Sequence, residues 1–262
     1  TTVPDSCFDG DTALESVELP KTLTKIEDYA FSGCTGLKTV NYAGTSEEWK
    51  KVTVGEENTS LTDLMNSDDT ELVKGTCGTS AEWTFDAKTG VLTISGSGDI
   101  KDYTSGGLDV PDKTAVKKVV IETGITSIGA YTFDVYKQLE EVVLPETVTK
   151  IGNSAFRYAS ALKTINLDKV TEIASGAFSN CTSLETVSLD SAKTVGAQAF
   201  VTCTSLKTVS LGSKETCVES IGKQAFSNCL KLKTINFCNV KELGEESFTA
   251  SGMTSVDLTG VK

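Results

Sequence analysis

The chain contains no histidine. That absence removes the usual general base, the Ser-His and Cys-His nucleophile systems and the common zinc-hydrolase constellations. None of its eight cysteines sits in a Cys-x-x-Cys pair, so no zinc-type ligand spacing is present. Gly96-Ser97-Gly98 lacks the Lys-Ser/Thr of a phosphate loop and does not fit a dinucleotide fingerprint. Neither Asp9-Gly10-Asp11 nor Asp68-Asp69 has the spacing of a calcium loop. No metal and no cofactor are expected. A run of 18 apolar residues is also missing, so nothing here reads as a membrane-spanning helix. Positive charge is short as well. Against 36 acidic residues stand 24 basic ones, and a net charge of −12 repels phosphate backbones and anionic lipid, which excludes nucleic acid as a partner.

What the sequence does have is repetition. Phe133, Phe156, Phe178, Phe200, Phe226 and Phe248 recur at intervals of 23, 22, 22, 26 and 22 residues. A period in this range marks a solenoid, in which each coil buries its apolar face only by stacking on its neighbours. Each Phe sits in a longer shared pattern, seen plainly in the Ile-Gly-x-x-Ala-Phe word of Ile151 to Phe156, followed six residues later by the Leu-x-x-Val-x-Leu-type word of Leu162 to Leu167. Phe8 with Leu14, Val17 and Leu19, then Ile26 to Phe31 with Leu37 and Val40, repeat the pattern near the start.

The alternation in Leu-x-x-Val-x-Leu predicts one short parallel strand per coil. Within residues 116–262, seven such strands centre on Val119, Val142, Ile165, Val187, Val209, Ile235 and Val256. Six steps of ~4.8 Å make a sheet about 29 Å wide. In the other word, Gly is expected to supply unusual backbone angles while Ala permits close approach and Phe plugs the interior. Helix and irregular turn both remain open for that segment. The fold class is therefore an α/β or mainly-β solenoid.

Three parts follow one another: a first array at 1–43, an acidic cap or linker with a hairpin unit at 44–115, and the main array at 116–262. The acidic stretch holds Glu47, Glu48, Glu56, Glu57, Asp63, Asp68, Asp69 and Glu71 against Lys50 and Lys51. It reads as a solvated cap. Trp83 to Phe85 and Val91 to Ile94 flank the turn-rich Asp86 to Gly90, which predicts a hairpin. The chain opens at Thr1 inside a repeat-like phrase without initiator Met or signal peptide, and is read as an excised or matured fragment.

Cys34, Cys181, Cys203 and Cys229 each fall three residues after the repeat Phe and so share one column. They are read as buried apolar filler, with a disulfide between Cys181 and Cys203 as the alternative. Cys7, Cys77, Cys217 and Cys238 have no common register.

The words Leu-Pro-x-x-Val-x-x-Ile-Gly-x-x-Ala-Phe-x-x-Cys-x-x-Leu, clearest from Leu144-Pro145 to Phe156 and from Ile173 to Leu184, resemble the BspA, or treponemal, type of bacterial leucine-rich repeat. The resemblance covers about two thirds of the chain. Gly75 to Gly78, Trp83 and Gly90 to Gly96 resemble segments that accompany such repeats, and Asn41 to Trp49 resembles the way such arrays end. The resemblance implies an exported, surface-displayed recognition or adhesion protein whose partner is a host or bacterial surface protein or a glycan.

Strand alternation then predicts the binding face. With Val187 and Leu189 inward, Thr186, Ser188 and Asp190 point outward. The same register gives one outward column of Thr39, Thr164, Thr186, Thr208 and Thr234, continued by Glu141 and Ser255. A second column holds Asn41, Asn166, Ser188, Ser210, Asn236 and Asp257, interrupted by Val143. This hydroxyl- and amide-rich face is the expected ligand site, although it lacks the aromatic rings and arginine of protein hot spots. The longer coil between Leu211 and Ile221 offers a second candidate in its loop, Gly212 to Ser220. The reading is a non-catalytic recognition module. Its alternatives are a spacer without its own ligand and a carboxylate-pair glycan hydrolase, for which no acidic pair stands out.

Overall fold

Alternating apolar and polar residues are realised as short parallel strands stacked coil on coil. The computed structural model describes residues 1–43, 46–67, 72–212, 218–237, 240–258 and 261, with backbone alone at 46–47 and 66–67. The chain divides into two compact units, Thr1–Glu71 and Leu72–Lys262. The segment 44–115 is shared between them. Its acidic part closes the first unit and its hairpin opens the second.

In the first unit, Ser16–Leu19 pairs in parallel with Thr39–Tyr42, Val17 opposite Val40. A helix, Thr59–Ser67, follows and inserts Leu61 and Met65 into the apolar end of the stack. Asn58 accepts the Phe31 amide at 2.8 Å through Oδ1 and lies at the start of that helix, whose Leu61 and Thr62 amides bond its carbonyl. Asp68, Asp69 and Glu71 of the acidic stretch lie outside the described residues.

In the second unit, the strands Val73–Thr76, Ser80–Asp86 and Val91–Asp99 form the expected antiparallel hairpin unit. Asp86 caps its turn by accepting the Lys88 and Thr89 amides. The last of these strands turns parallel to the array. Val91 to Ile94 pair with Lys118–Ile121, and Gly98 and Asp99 pair with Ile125–Ile128. The following residues cap the carbonyls of the first coil, with Tyr103 N–H on Ala130 O and Leu108 N–H on Thr132 O, each at 2.8 Å.

The strand side of the array runs Lys118–Ile121, Glu141–Val143 and Thr164–Ile165, followed by a separate pair, Thr186–Ser188 with Thr208–Ser210. The segments centred on Ile235 and Val256, expected as the sixth and seventh strands, carry no strand. The single sheet about 29 Å wide is thus two shorter ladders. Ile235 still points inward and is buried, so the inward register persists where the ladder does not. Val256 is 55% exposed.

Each coil also has a second strand that alternation could not reveal. Ile125–Ile128, Lys150–Ile151, Glu172–Ile173, Thr194–Val195, Ser220–Ile221 and Glu242–Leu243 form an unbroken parallel ladder. Ile128, Ile151, Ile173, Val195 and Ile221 are buried along it. Beyond Ile125–Ile128 these strands have two residues each, too few to show a period.

The third side of the coil is a tight turn, not a helix. Along the array the Phe amide donates to the next coil, as from Phe133 to Ala155 O at 2.7 Å and from Phe156 to Ala177 O at 2.8 Å. Residues two before and two after Phe take left-handed angles, among them Ser154 (φ 53°), Tyr158 (φ 61°), Gln224 (φ 56°) and Asn228 (φ 60°). This corrects the role expected of the word's glycine. Gly152, Gly196 and Gly222 are not in that conformation. They sit where a Cβ would lie 2.6 Å, 2.5 Å and 2.5 Å from backbone atoms of the preceding coil. Glycine at these three positions therefore permits stacking, while the left-handed angles fall mostly on non-glycine residues, with Gly176 (φ 65°) and Gly33 (φ 64°) among the exceptions.

Inside, the six repeat Phe rings stack at 5.1 to 5.3 Å with interplanar angles of 2° to 22°. Burying each ring contributes ~1.5–3 kcal/mol, before any gain from ring packing. The column cysteines are free and buried, and each donates Sγ–H to the Phe carbonyl of the preceding coil at 3.1 to 3.3 Å. No disulfide is present among the described residues. Cys217 and Cys238 lie outside them.

Candidate recognition faces

Inward Val187 and Val209 leave Thr186 beside Thr208, and Ser188 beside Ser210, in exact parallel register on the outer surface. Thr164 stands opposite Glu141 on the neighbouring ladder. Thr164, Asn166, Thr186, Asp190, Thr208, Thr234 and Asn236 are exposed, and Ser188 and Ser210 half-buried. Thr234 and Asn236 belong to the coil without a strand on this side.

The polar groups of this face differ in how far they are already used. Asp190 accepts the Ser210 hydroxyl, and Asn166 Oδ1 accepts the Asp168 amide at 2.9 Å. The Thr164, Thr186 and Thr208 hydroxyls have no intramolecular partner among the described residues. Thr164 and Thr186 line a shallow depression of about 420 Å³ together with Lys163, Ser183, Glu185 and Ser205. Ion pairs between coils border it, Lys163 to Glu140 at 2.5 Å and Lys207 to Glu185 at 2.9 Å. Hydrogen bonds from these lysines hold both carboxyls below the usual range. The pairs are exposed and cancel each other's charge, so they contribute little to stability. The longer coil's candidate loop cannot be placed in the same way, because residues 213–217 lie outside the described residues.

The arginine and aromatic rings missing from this face are found on the turn side. Arg157 is the only arginine of the chain. Its Nε donates to Asp134 Oδ1 at 2.9 Å and its Nη2 to Asp134 Oδ2 at 2.9 Å and to Ser105 Oγ at 3.1 Å. Asp134 is fully buried and also accepts the Gly106 amide at 2.9 Å. Burial alone would raise the Asp134 carboxyl, but its bonds to Arg157, Gly106 and Ser105 outweigh burial and hold it below the usual range. The guanidinium lies 5.2 Å from the Tyr131 ring centre and 5.4 Å from that of Tyr158. Tyr158 is 43% exposed. Sequence reasoning missed this group because its members lie up to 52 residues apart and meet only after stacking. The available signal was the solitary arginine, next to a tyrosine two residues after the repeat Phe.

Among the described residues, no group of three or more His, Cys, Asp or Glu is arranged to hold a metal ion. No helix among them is long and apolar enough to cross a membrane.

A family model described as the BspA type leucine rich repeat region matches six copies, over residues 1–71, 112–217 and 214–261. No curated protein matches the chain. Among solved structures, a leucine rich cell surface protein from Faecalibacterium prausnitzii is 27% identical with a TM-score of 0.51, over 70% of this chain and 54% of that one. A leucine-rich repeat protein from Eubacterium ventriosum is 19% identical with a TM-score of 0.46, over 93% of this chain and 60% of that one. A leucine rich repeat protein from T. pallidum is 19% identical with a TM-score of 0.36, over 57% of this chain and 86% of that one. The chain thus spans between half and two thirds of the length of the first two.

Proposed function

The chain belongs to the BspA-type leucine-rich repeat family, and from that premise we propose that it is a non-catalytic recognition module displayed at or beyond a bacterial cell surface. The Faecalibacterium protein's description as a cell surface protein supports that location. The proposed ligand site is the outward strand side, and the partner is a surface protein or glycan. One observation carries this reading. Thr164, Thr186 and Thr208 form an exposed column whose hydroxyls have no partner among the described residues, and two of them line one depression. Idle hydroxyls at a fixed repeat offer an extended polar partner a regular row of donors and acceptors.

The test is binding of the full chain to an array of host matrix proteins and glycans, with the triple variant Thr186→Lys, Ser188→Lys, Thr208→Lys as control. All three side chains point away from the core, so the variant should keep the parent's circular dichroism. Saturable binding that disappears in the folded variant supports the strand face. Binding that survives in the variant rejects that face, and silence across the array favours a spacer.

A further inference from the structure

We infer that Tyr131, Arg157 and Tyr158 form a second binding site, on the turn side of the coil, for an uncharged glycan. The inference goes beyond the strand-face reading and uses none of its residues. Three features of the geometry carry it.

The first is a fixed aromatic platform. Tyr158 holds a left-handed backbone angle of 61°, and its amide is tied to Ser179 O of the next coil at 2.9 Å. The ring is held outward, with the guanidinium on one side and solvent beyond. A sugar ring laid on it buries its apolar C–H face against the aromatic ring.

The second is a set of prepositioned donors. Of the five N–H groups of Arg157, one on Nε and two on Nη2 are engaged by Asp134 and Ser105. The two on Nη1 have no partner among the described residues. Gripped by Asp134 and flanked by rings, the guanidinium loses little freedom when a ligand hydroxyl accepts from it. One coil further, Asn180 spends its amide N–H on Ser179 Oγ at 2.9 Å, while its amide oxygen has no partner among the described residues. Coil spacing of ~4.8 Å brings that acceptor within one sugar residue of the platform.

The third is charge. Asp134 cancels Arg157 locally, and the whole chain carries −12. An anionic polymer is therefore repelled at long range without a compensating local cation. A neutral ring rich in hydroxyls meets no such penalty. A few convergent polar groups around an apolar platform are the ordinary composition of a small-ligand site.

The experiment is native affinity electrophoresis of the full chain in gels containing hydroxyethylcellulose, galactomannan, mixed-linkage glucan or polygalacturonate. At least one uncharged polymer should retard the protein. Tyr158→Ala, an exposed position, should lose about tenfold or more in affinity with its melting temperature kept, Tyr158→Phe should retain binding, and Arg157→Lys should weaken it. The strand-face triple variant should be retarded as the parent is, which separates this site from the other. Absence of retardation by every uncharged polymer, unaltered binding in Tyr158→Ala, or stronger retardation by polygalacturonate would overturn the inference.

Discussion

Asn58 Oδ1 accepts the Phe31 amide at 2.8 Å and so takes the place that an alanine carbonyl of the next coil holds for Phe133, Phe156, Phe178 and Phe200. Its Nδ2 donates to Glu27 O, Gly55 O and Glu56 O at 2.8 to 3.1 Å, and the residue is 2% exposed. One amide thus imitates a missing coil. Asn58→Ala should leave a buried N–H and several carbonyls unsatisfied, costing the first unit ~1–3 kcal/mol or more. Hydrogen exchange at the Phe31 amide is the direct measure, and unchanged protection there would contradict the capping role.

Glycine and its neighbour should respond oppositely to substitution in the turn. Gly152→Ala places a Cβ 2.6 Å from the Ala130 nitrogen and should destabilise the second unit by ~1–3 kcal/mol. Gln224→Gly, at φ 56°, should relieve left-handed strain worth ~1–2 kcal/mol, offset in part by the added freedom of the unfolded chain. Urea midpoints of the two variants should move apart. If both fall equally, the division of roles between the positions is wrong.

Asp134→Asn should loosen the clasp that ties Gly106 and Ser105 to the array, by about 2–3 kcal/mol, below the value for a fully buried pair because Arg157 is partly exposed. The folded carboxyl lies below its unfolded value. Its contribution is therefore complete above about pH 4 and is lost as pH falls through the lowered folded value. Acid titration of stability should be shallower in the variant, and identical slopes would argue against this pairing.

The thiol column gives the opposite pH signature. Burial pushes the Cys229 thiol up to about 12 and raises those of Cys181 and Cys203 as well. Unfolded thiols ionise near pH 8.5, so this contribution is complete below that pH and is lost as pH rises toward the folded values. In the native protein at pH 8, iodoacetamide should modify exposed Cys7 and spare Cys181, Cys203 and Cys229 until the chain unfolds. Mass spectrometry of the alkylated peptides decides it. Rapid native modification of Cys203 would show the column to be accessible.

These tests also show what sequence carries and what it does not. The repeat Phe, the inward Val187 and Val209 and the buried Cys203 were legible because each needs one side-chain type at one spacing. The second ladder was not, since Glu172–Ile173 and its counterparts are too short for periodicity to register. The left-handed positions were hidden for another reason. Ser154, Tyr158, Asn180 and Gln224 share a backbone state imposed by stacking, while their side chains are unrelated. The outward threonines followed from alternation alone. The Tyr131 and Arg157 contact did not, because it exists only between adjacent coils.

On the turn side the amides of Phe133, Phe156, Phe178, Phe200 and Phe226 point toward the following coil and the matching carbonyls toward the preceding one. The stack works like a row of identical couplings, each with a plug at one end and a socket at the other. The closure at the start of an array must then differ from the closure at its end: amides from Tyr103 and Leu108 begin the array of the second unit, and oxygens from Glu56 and Asn58 finish that of the first. Coils of this kind can be duplicated, deleted or transplanted between arrays, but none can be inserted backwards.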